Sequence, residues 1–235
     1  MVLRRFSQHA CTAKETVQAC DNKKIPKIVD HAQRRDELVR AVWEVISREG
    51  IEGATVRKVA EAAGVSVGGL RHYFDSQRGL LAFAAQAVGR SVAARIAGHL
   101  HADLPGPERA RLMLEELLPL DGNRRVEVDV WLACLVRSRI DESLADLHRN
   151  AWAAERHICR LAIASCHDLP APEIGQEFTD TGLERRAARL HVFIDGLTLQ
   201  TATYPRNFTP EDIRAAVRDE LRLLTEARLP TERET

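Results

Sequence analysis

The chain is poor in the features that mark most other classes of protein. Cysteine is scarce and odd in number, with Cys11, Cys20, Cys134, Cys159 and Cys166 the only five in 235 residues. Their irregular spacing excludes a disulfide framework and points to reduced thiols in the cytoplasm. Net charge is missing too: 34 basic residues balance 34 acidic ones, which argues against binding to nucleic acid by bulk charge alone. No run approaches the roughly 18 apolar residues of a membrane span, so a soluble chain with no membrane partner is expected. The stretch from Met1 to Lys24 carries Arg4 and Arg5 but no apolar core, so it does not read as a secretory signal. Period-two alternation, internal repeats and low-complexity tracts are all absent, and so is any signal for a sheet. No Ser-His-Asp set, nucleophile elbow or glycine-rich phosphate loop appears, so neither an enzyme nor a cofactor is expected.

What is there is helical. Hydrophobic side chains make up 45% and aromatic ones only 5% of a length that suits one or two domains with a full-sized core. Residues 1–24 lack periodicity and read as a disordered extension, with five basic against two acidic groups. After Pro26, Leu38, Val42, Val45, Ile46 and Glu49 keep helical spacing until Gly50. Two short helices follow, then segments of about 76–98, 108–118, 121–140, 142–166, 183–203 and 210–227. The last has clear end chemistry, with Thr209 as cap, Pro210 in the first position, and Glu211 and Asp212 facing the positive end of the dipole. An all-α fold of about nine helices is expected, divided as 1–24, 25–80 and 81–235. Residues 25–90 carry ten basic and eight acidic groups and 91–235 carry nineteen and twenty-four, so any polyanion contact belongs to the front.

The informative window is Thr55 to Phe74, TVRKVAEAAGVSVGGLRHYF. Thr55 can cap one short helix and Ser66 a second, extending to about Tyr73. Gly64 between them can take the positive φ of a sharp turn. Ala60 suits a close helix crossing, and Val59, Val65 and Leu70 fall where the helices share a core. Together these are the spacings of a helix-turn-helix. An unrelated amphipathic pair would match some of them but rarely the Ala, Gly and Leu at once. Gly68 and Gly69 sit side by side in the second helix, each costing about 1 kcal/mol of helix propensity. They give clearance to a backbone that approaches a groove or a phosphate. Arg71, His72 and Tyr73 follow, with groups suited to phosphates and base edges.

The stretch RRDELVRAVWEVISREGIEGATVRKVAEAAGVSVGGLRHYFDSQRGLLAFA closely resembles the amino-terminal DNA-binding region of TetR-family bacterial regulators. GGLRHYF, LLPLDGNRRVEVDVWLACLVRS and FIDGLTLQ resemble its BetI-type branch. The resemblance implies a homodimeric repressor that binds double-stranded operator DNA and leaves it when a small-molecule effector binds the larger domain. It places Thr55 and Arg57 near a phosphate, Ser66, Val67, Gly68 and Gly69 in the groove, and His72 and Tyr73 on the backbone. Arg71 stands where many members have Tyr, and Gln77 where many have Lys, with Arg78 beside it. The branch points to choline-type effectors, with Trp131 and Trp152 as part of a cation–π cage.

Beyond the resemblance, Trp131, Cys134 and Arg137 on one helix and His148, Trp152 and Glu155 on the next could supply the polar groups of an effector pocket. Core filling and surface pairing are the plain alternatives for each. His157, Cys159, Cys166 and His167 do not make a metal site, because the two cysteines stand about 10 Å apart along a helix. The segment from Ala187 to Thr203 is apolar nearly all round. Leu190, Ile194 and Leu197, with Val217 and Leu221 of the last helix, read as a four-helix dimer interface. An all-α enzyme or helical interaction module with an incidental helix-turn-helix is the rival reading.

Overall fold

The computed structural model describes residues 31–74 and 76–226, with side chains from Gln33 onward; the extension 1–24 lies outside them. Nine α-helices and two 3-10 turns, with no strand, make up the described residues. In order they are α1 (His31–Gly53), α2 (Val56–Ala62), α3 (Val67–Leu70), α4 (Gln77–Leu100), α5 (Gly106–Glu115), α6 (Gly122–Ser138), α7 (Ala145–Cys166), α8 (Thr181–Thr203) and α9 (Pro210–Glu226). Helix starts are set by side-chain caps. Thr55, Ser66, Ser76, Asp121 and Asp180 each accept a backbone N–H from the first turn. At α9, Thr209 Oγ1 accepts from the Asp212 N–H at 3.2 Å, and Asp212 Oδ2 accepts from the Thr209 N–H at 2.8 Å. Gly50 breaks α1 with a φ of 73°, as the sequence leads one to expect.

Two cores form. One joins Leu38, Val42, Val45, Val59, Ala60, Leu70, Phe74 and Leu80 to Val130 and Leu144 from beyond α5. The other joins Ile96, Met113, Leu114, Leu118, Ile163, Leu190, Val217 and Leu221. Helix α4 serves both, and the boundary expected between 80 and 81 falls inside its unbroken length. By length and composition alone, α4 is also apolar enough to cross a membrane, contrary to the expectation that no segment qualifies. Its Leu80, Leu81, Phe83, Ala84, Ala87 and Ile96 are instead buried between helices. At the start of α5, a Cβ added to Gly106 would lie 1.9 Å from the Ser165 carbonyl oxygen, so only glycine lets α5 pass α7 this closely.

Candidate functional site

The helix-turn-helix is built as its spacing predicts. Gly64 has φ 65°, and Val65 N–H donates to the Ala60 carbonyl at 2.9 Å, closing α2 in a Schellman turn. Val59, Ala60 and Leu70 are buried, and each faces the first core. The second helix is shorter than expected. It ends at Leu70, whose carbonyl then accepts from the N–H groups of Tyr73 at 2.8 Å and Phe74 at 2.9 Å. Two adjacent glycines give a helix little reason to continue.

Outward from this support lie Thr55, Arg57, Ser66, Val67, Gly68, Gly69, Arg71 and His72, all exposed. Thr55 Oγ1 and Ser66 Oγ already serve as caps at 3.3 and 3.1 Å. A Cβ on Gly68 or Gly69 would meet only Ser66 Oγ, at 3.9 and 3.4 Å, so nothing inside the chain requires either glycine. Tyr73 is half-buried, its ring edge-on to Phe83 at 6.4 Å, while Phe74 is a core side chain. Arg78 lies 3.9 Å from Asp141 and stays largely exposed. Gln77, also expected on DNA, is exposed but already bonded within the chain. Its amide nitrogen donates to the Ala54 and Ile51 carbonyls, so that donor is committed to closing the end of α1.

A cavity of about 420 Å³ opens behind this unit, walled by α4, α6, α7 and α8. Of the expected pocket residues, Trp131, Cys134, His148 and Glu155 line it. Burial pushes the Cys134 thiol up to about 11, so it lines the wall as a neutral, unreactive group. Arg137 and Trp152 do not line it. Arg137 sits exposed in the last turn of α6, and Trp152 is 48% exposed, its ring tilted against His191 at 5.4 Å and under Arg156 at 5.1 Å. The expected cage of two tryptophans is therefore not formed, since one of them lies outside the cavity.

Sequence reasoning missed most of the polar groups around the cavity. On the α4 side, Arg95 bonds Glu127 at 2.6 and 3.0 Å and Glu116 at 2.6 Å, while Arg124 and His99 reach the second Glu116 oxygen at 2.9 and 2.8 Å. Glu116 and Glu127 are both buried. Burial by itself would raise the Glu116 carboxyl, but hydrogen bonds from His99 and Arg95 and the nearby guanidinium charges hold it below the usual range. On the α8 side, Asp195 and Thr198 line the cavity, and His191 is buried beside it. The segment read as apolar nearly all round thus carries three polar side chains on its inner face. The i,i+4 spacing of His191 and Asp195 is the signal that could have shown them.

The expected dimer residues are corrected in the same way. Leu190, Ile194, Val217 and Leu221 are buried in the chain's own second core, and Leu197 packs partly against it. Large apolar side chains left open on α8 and α9 are Val192, Leu199 and Leu223, exposed by 71%, 51% and 52%. Buried spacing on a helix does not tell a core from an interface, because both demand the same periodicity.

Comparison with known proteins accords with this division. Residues 38–83 match the family described as bacterial regulatory proteins of the tetR family. Residues 107–226 match the carboxy-terminal domain of BetI-type transcriptional repressors. The transcriptional regulator PksA of Bacillus subtilis is 31% identical over 194 residues, covering 82% of this chain and 90% of PksA. A transcriptional regulator from Rhodococcus has a similar structure at a TM-score of 0.65 and 28% identity, covering 81% of this chain and 95% of that one. A regulator from Saccharomonospora viridis, solved in complex with choline, shares the fold at a TM-score of 0.67 and 24% identity over 81% and 96% of the two chains.

Proposed function

The chain belongs to the TetR family of transcriptional regulators, with a BetI-type carboxy-terminal domain, and we propose that it is a dimeric repressor released from DNA by a small molecule in the α4–α8 cavity. One observation carries this reading. Tyr73 and Phe74, directly after α3, pack on Phe83 near the amino end of α4, and the same helix walls the cavity with Val88, Val92 and Ile96. A ligand that displaces α4 must also move the reading face.

The surface is suited to the task residue by residue. Arg57, Arg71 and His72 supply exposed donors around a glycine pair that lets the backbone come close. The chain's zero net charge leaves affinity to these local groups rather than to its overall field. A second copy meets the outward faces of α8 and α9 at Val192, Leu199 and Leu223, which sets two reading units for successive major grooves about 34 Å apart. The protein works in the cytoplasm by binding and release rather than by catalysis.

The test is a gel shift with the DNA upstream of the chain's own gene, run beside sedimentation of the free protein. The expected result is a dimer that retards this DNA and fails to retard an unrelated duplex at the same salt. A monomer with no preference between the two duplexes would leave the incidental helix-turn-helix reading in its place.

A further inference from the structure

Resting on the reading of the cavity as the effector site, we infer that its guest is an amine cation carrying N–H donors, held by the paired carboxyl groups of Glu155 and Asp195. The charged groups of the cavity wall divide into two sets. Glu116 and Glu127 are already bonded to Arg95 and Arg124 and have no charge to offer. Glu155 and Asp195 have no lysine or arginine within ion-pair distance among the described residues. One oxygen of each and a ring nitrogen of His191 lie within 4.8 Å of one another. His191 approaches them at 3.4 and 3.6 Å.

The imidazole meets that pair through one nitrogen only. Its Nδ1 accepts a hydrogen bond from Arg156 Nε at 3.2 Å, so the ring's single proton sits on Nε2, facing the acids. The groups around the pair are Arg156 and Cys159 on α7 and His191 on α8, and Arg156 is also drawn to Glu184 at 3.7 Å. Two carboxyls this close favour sharing one proton over ionising together. Burial first, and then the charge and hydrogen bond of Glu155, hold the Asp195 carboxyl above the usual range against the opposing pull of His191 and Arg156. A cation is the missing partner.

The kind of cation follows from the acceptors. Carboxylates reward N–H donors, with short charge-assisted bonds. A quaternary ammonium has none and relies on aromatic faces. The cavity offers one indole, Trp131, because Trp152 lies outside it. A metal ion fits less well. A ligating histidine ordinarily donates its other N–H to an acceptor, whereas Nδ1 of His191 faces a guanidinium donor.

The test is calorimetric titration of the full chain with octylamine, octyltrimethylammonium and octan-1-ol, which share one apolar chain and differ at its head. Octylamine is expected to bind at least about tenfold tighter than either of the others. Glu155→Gln and Asp195→Asn are expected to shrink that margin below about threefold, while the octan-1-ol affinity changes by less than about threefold. The alcohol therefore reports whether the variants keep an intact cavity. Equal binding of the trimethylammonium, or an amine preference that survives both substitutions, overturns the amine assignment and leaves the cavity reading standing. Failure of all three compounds to bind removes both.

Discussion

The two ends of α4 work in opposite chemistry. At its amino end the helix presses Leu80, Leu81, Phe83 and Ala84 into an apolar core, and Thr55, Arg57, Ser66, Arg71 and His72 of the neighbouring reading unit are exposed. Towards its carboxy end, Arg95 and His99 bind buried carboxylates around a cavity, and the functional polar groups point inward. Apart from the caps Thr55 and Ser66, the reading surface is therefore independent of the fold that supports it. The cavity wall is part of its own fold, so changes there act on stability and function together.

Breaking the inward side is expected to have the largest effect. Arg95→Ala leaves Glu127 and Glu116 buried with less than their full set of donors. Removing one partner of such a network costs about 3–5 kcal/mol. Urea unfolding at fixed protein concentration measures it, and a loss below about 1 kcal/mol would mean that the network is wetter than its burial indicates.

Gly106→Ala comes next. The added Cβ meets backbone rather than a movable side chain at 1.9 Å, so overpacking of about 1–3 kcal/mol is expected, with DNA binding intact once the protein is folded. Thermal melting combined with a gel shift separates the two quantities.

Gly68→Ala sharpens the comparison from the outward side. The methyl group has room within the chain, so the melting temperature stays level or rises, by up to about 1 kcal/mol of helix propensity. Affinity for DNA falls, because the groove loses its clearance. A variant that is less stable yet binds normally would show that the glycine serves the fold.

The smallest effect is a pH dependence. Asp195 keeps its proton in the folded chain above the range in which the unfolded chain loses it. The folded state then binds more protons, so this group's contribution falls as pH rises from the ordinary aspartate range through the raised value. Asp195→Asn removes that loss. The variant is expected to melt above wild type at pH 7 to 8, with the gap closing as the pH approaches 4. A gap that widens on acidification would have the wrong sign.

The same division decides what could be read from the sequence. The helix-turn-helix was legible because Thr55, Ala60, Gly64, Ser66 and Leu70 each answer a local demand of capping, crossing or turning. The order of helices was legible too, since end signals such as Thr209 and Asp212 are local. The cavity was half legible: Trp131, Cys134, His148 and Glu155 sit on the inner stripes of α6 and α7, where helical spacing puts them. Asp195, His191 and Arg95 were not: beyond the i,i+4 pairing of His191 with Asp195, the groups that fix them come from other helices, 21 to 36 residues away in the case of Arg95 and His191. Trp152 was misplaced for a related reason. Its stripe is right, but its ring turns outward onto His191. The interface residues failed because Leu190 and Val217 obey a periodicity that any buried helix obeys.

The account turns on a reading face that the fold does not need, and the salt dependence of DNA affinity for Arg71→Ala tests that most directly. Arg71 is exposed and makes no side-chain hydrogen bond or ion pair among the described residues. Anisotropy with the upstream DNA is expected to show a loss of about 1–3 kcal/mol at an unchanged melting temperature. If Arg71 holds a phosphate, the salt slope falls by about one; if it reads a guanine, the loss follows a single base pair. Wild-type affinity in the variant, at every salt concentration and on every duplex, would contradict the account.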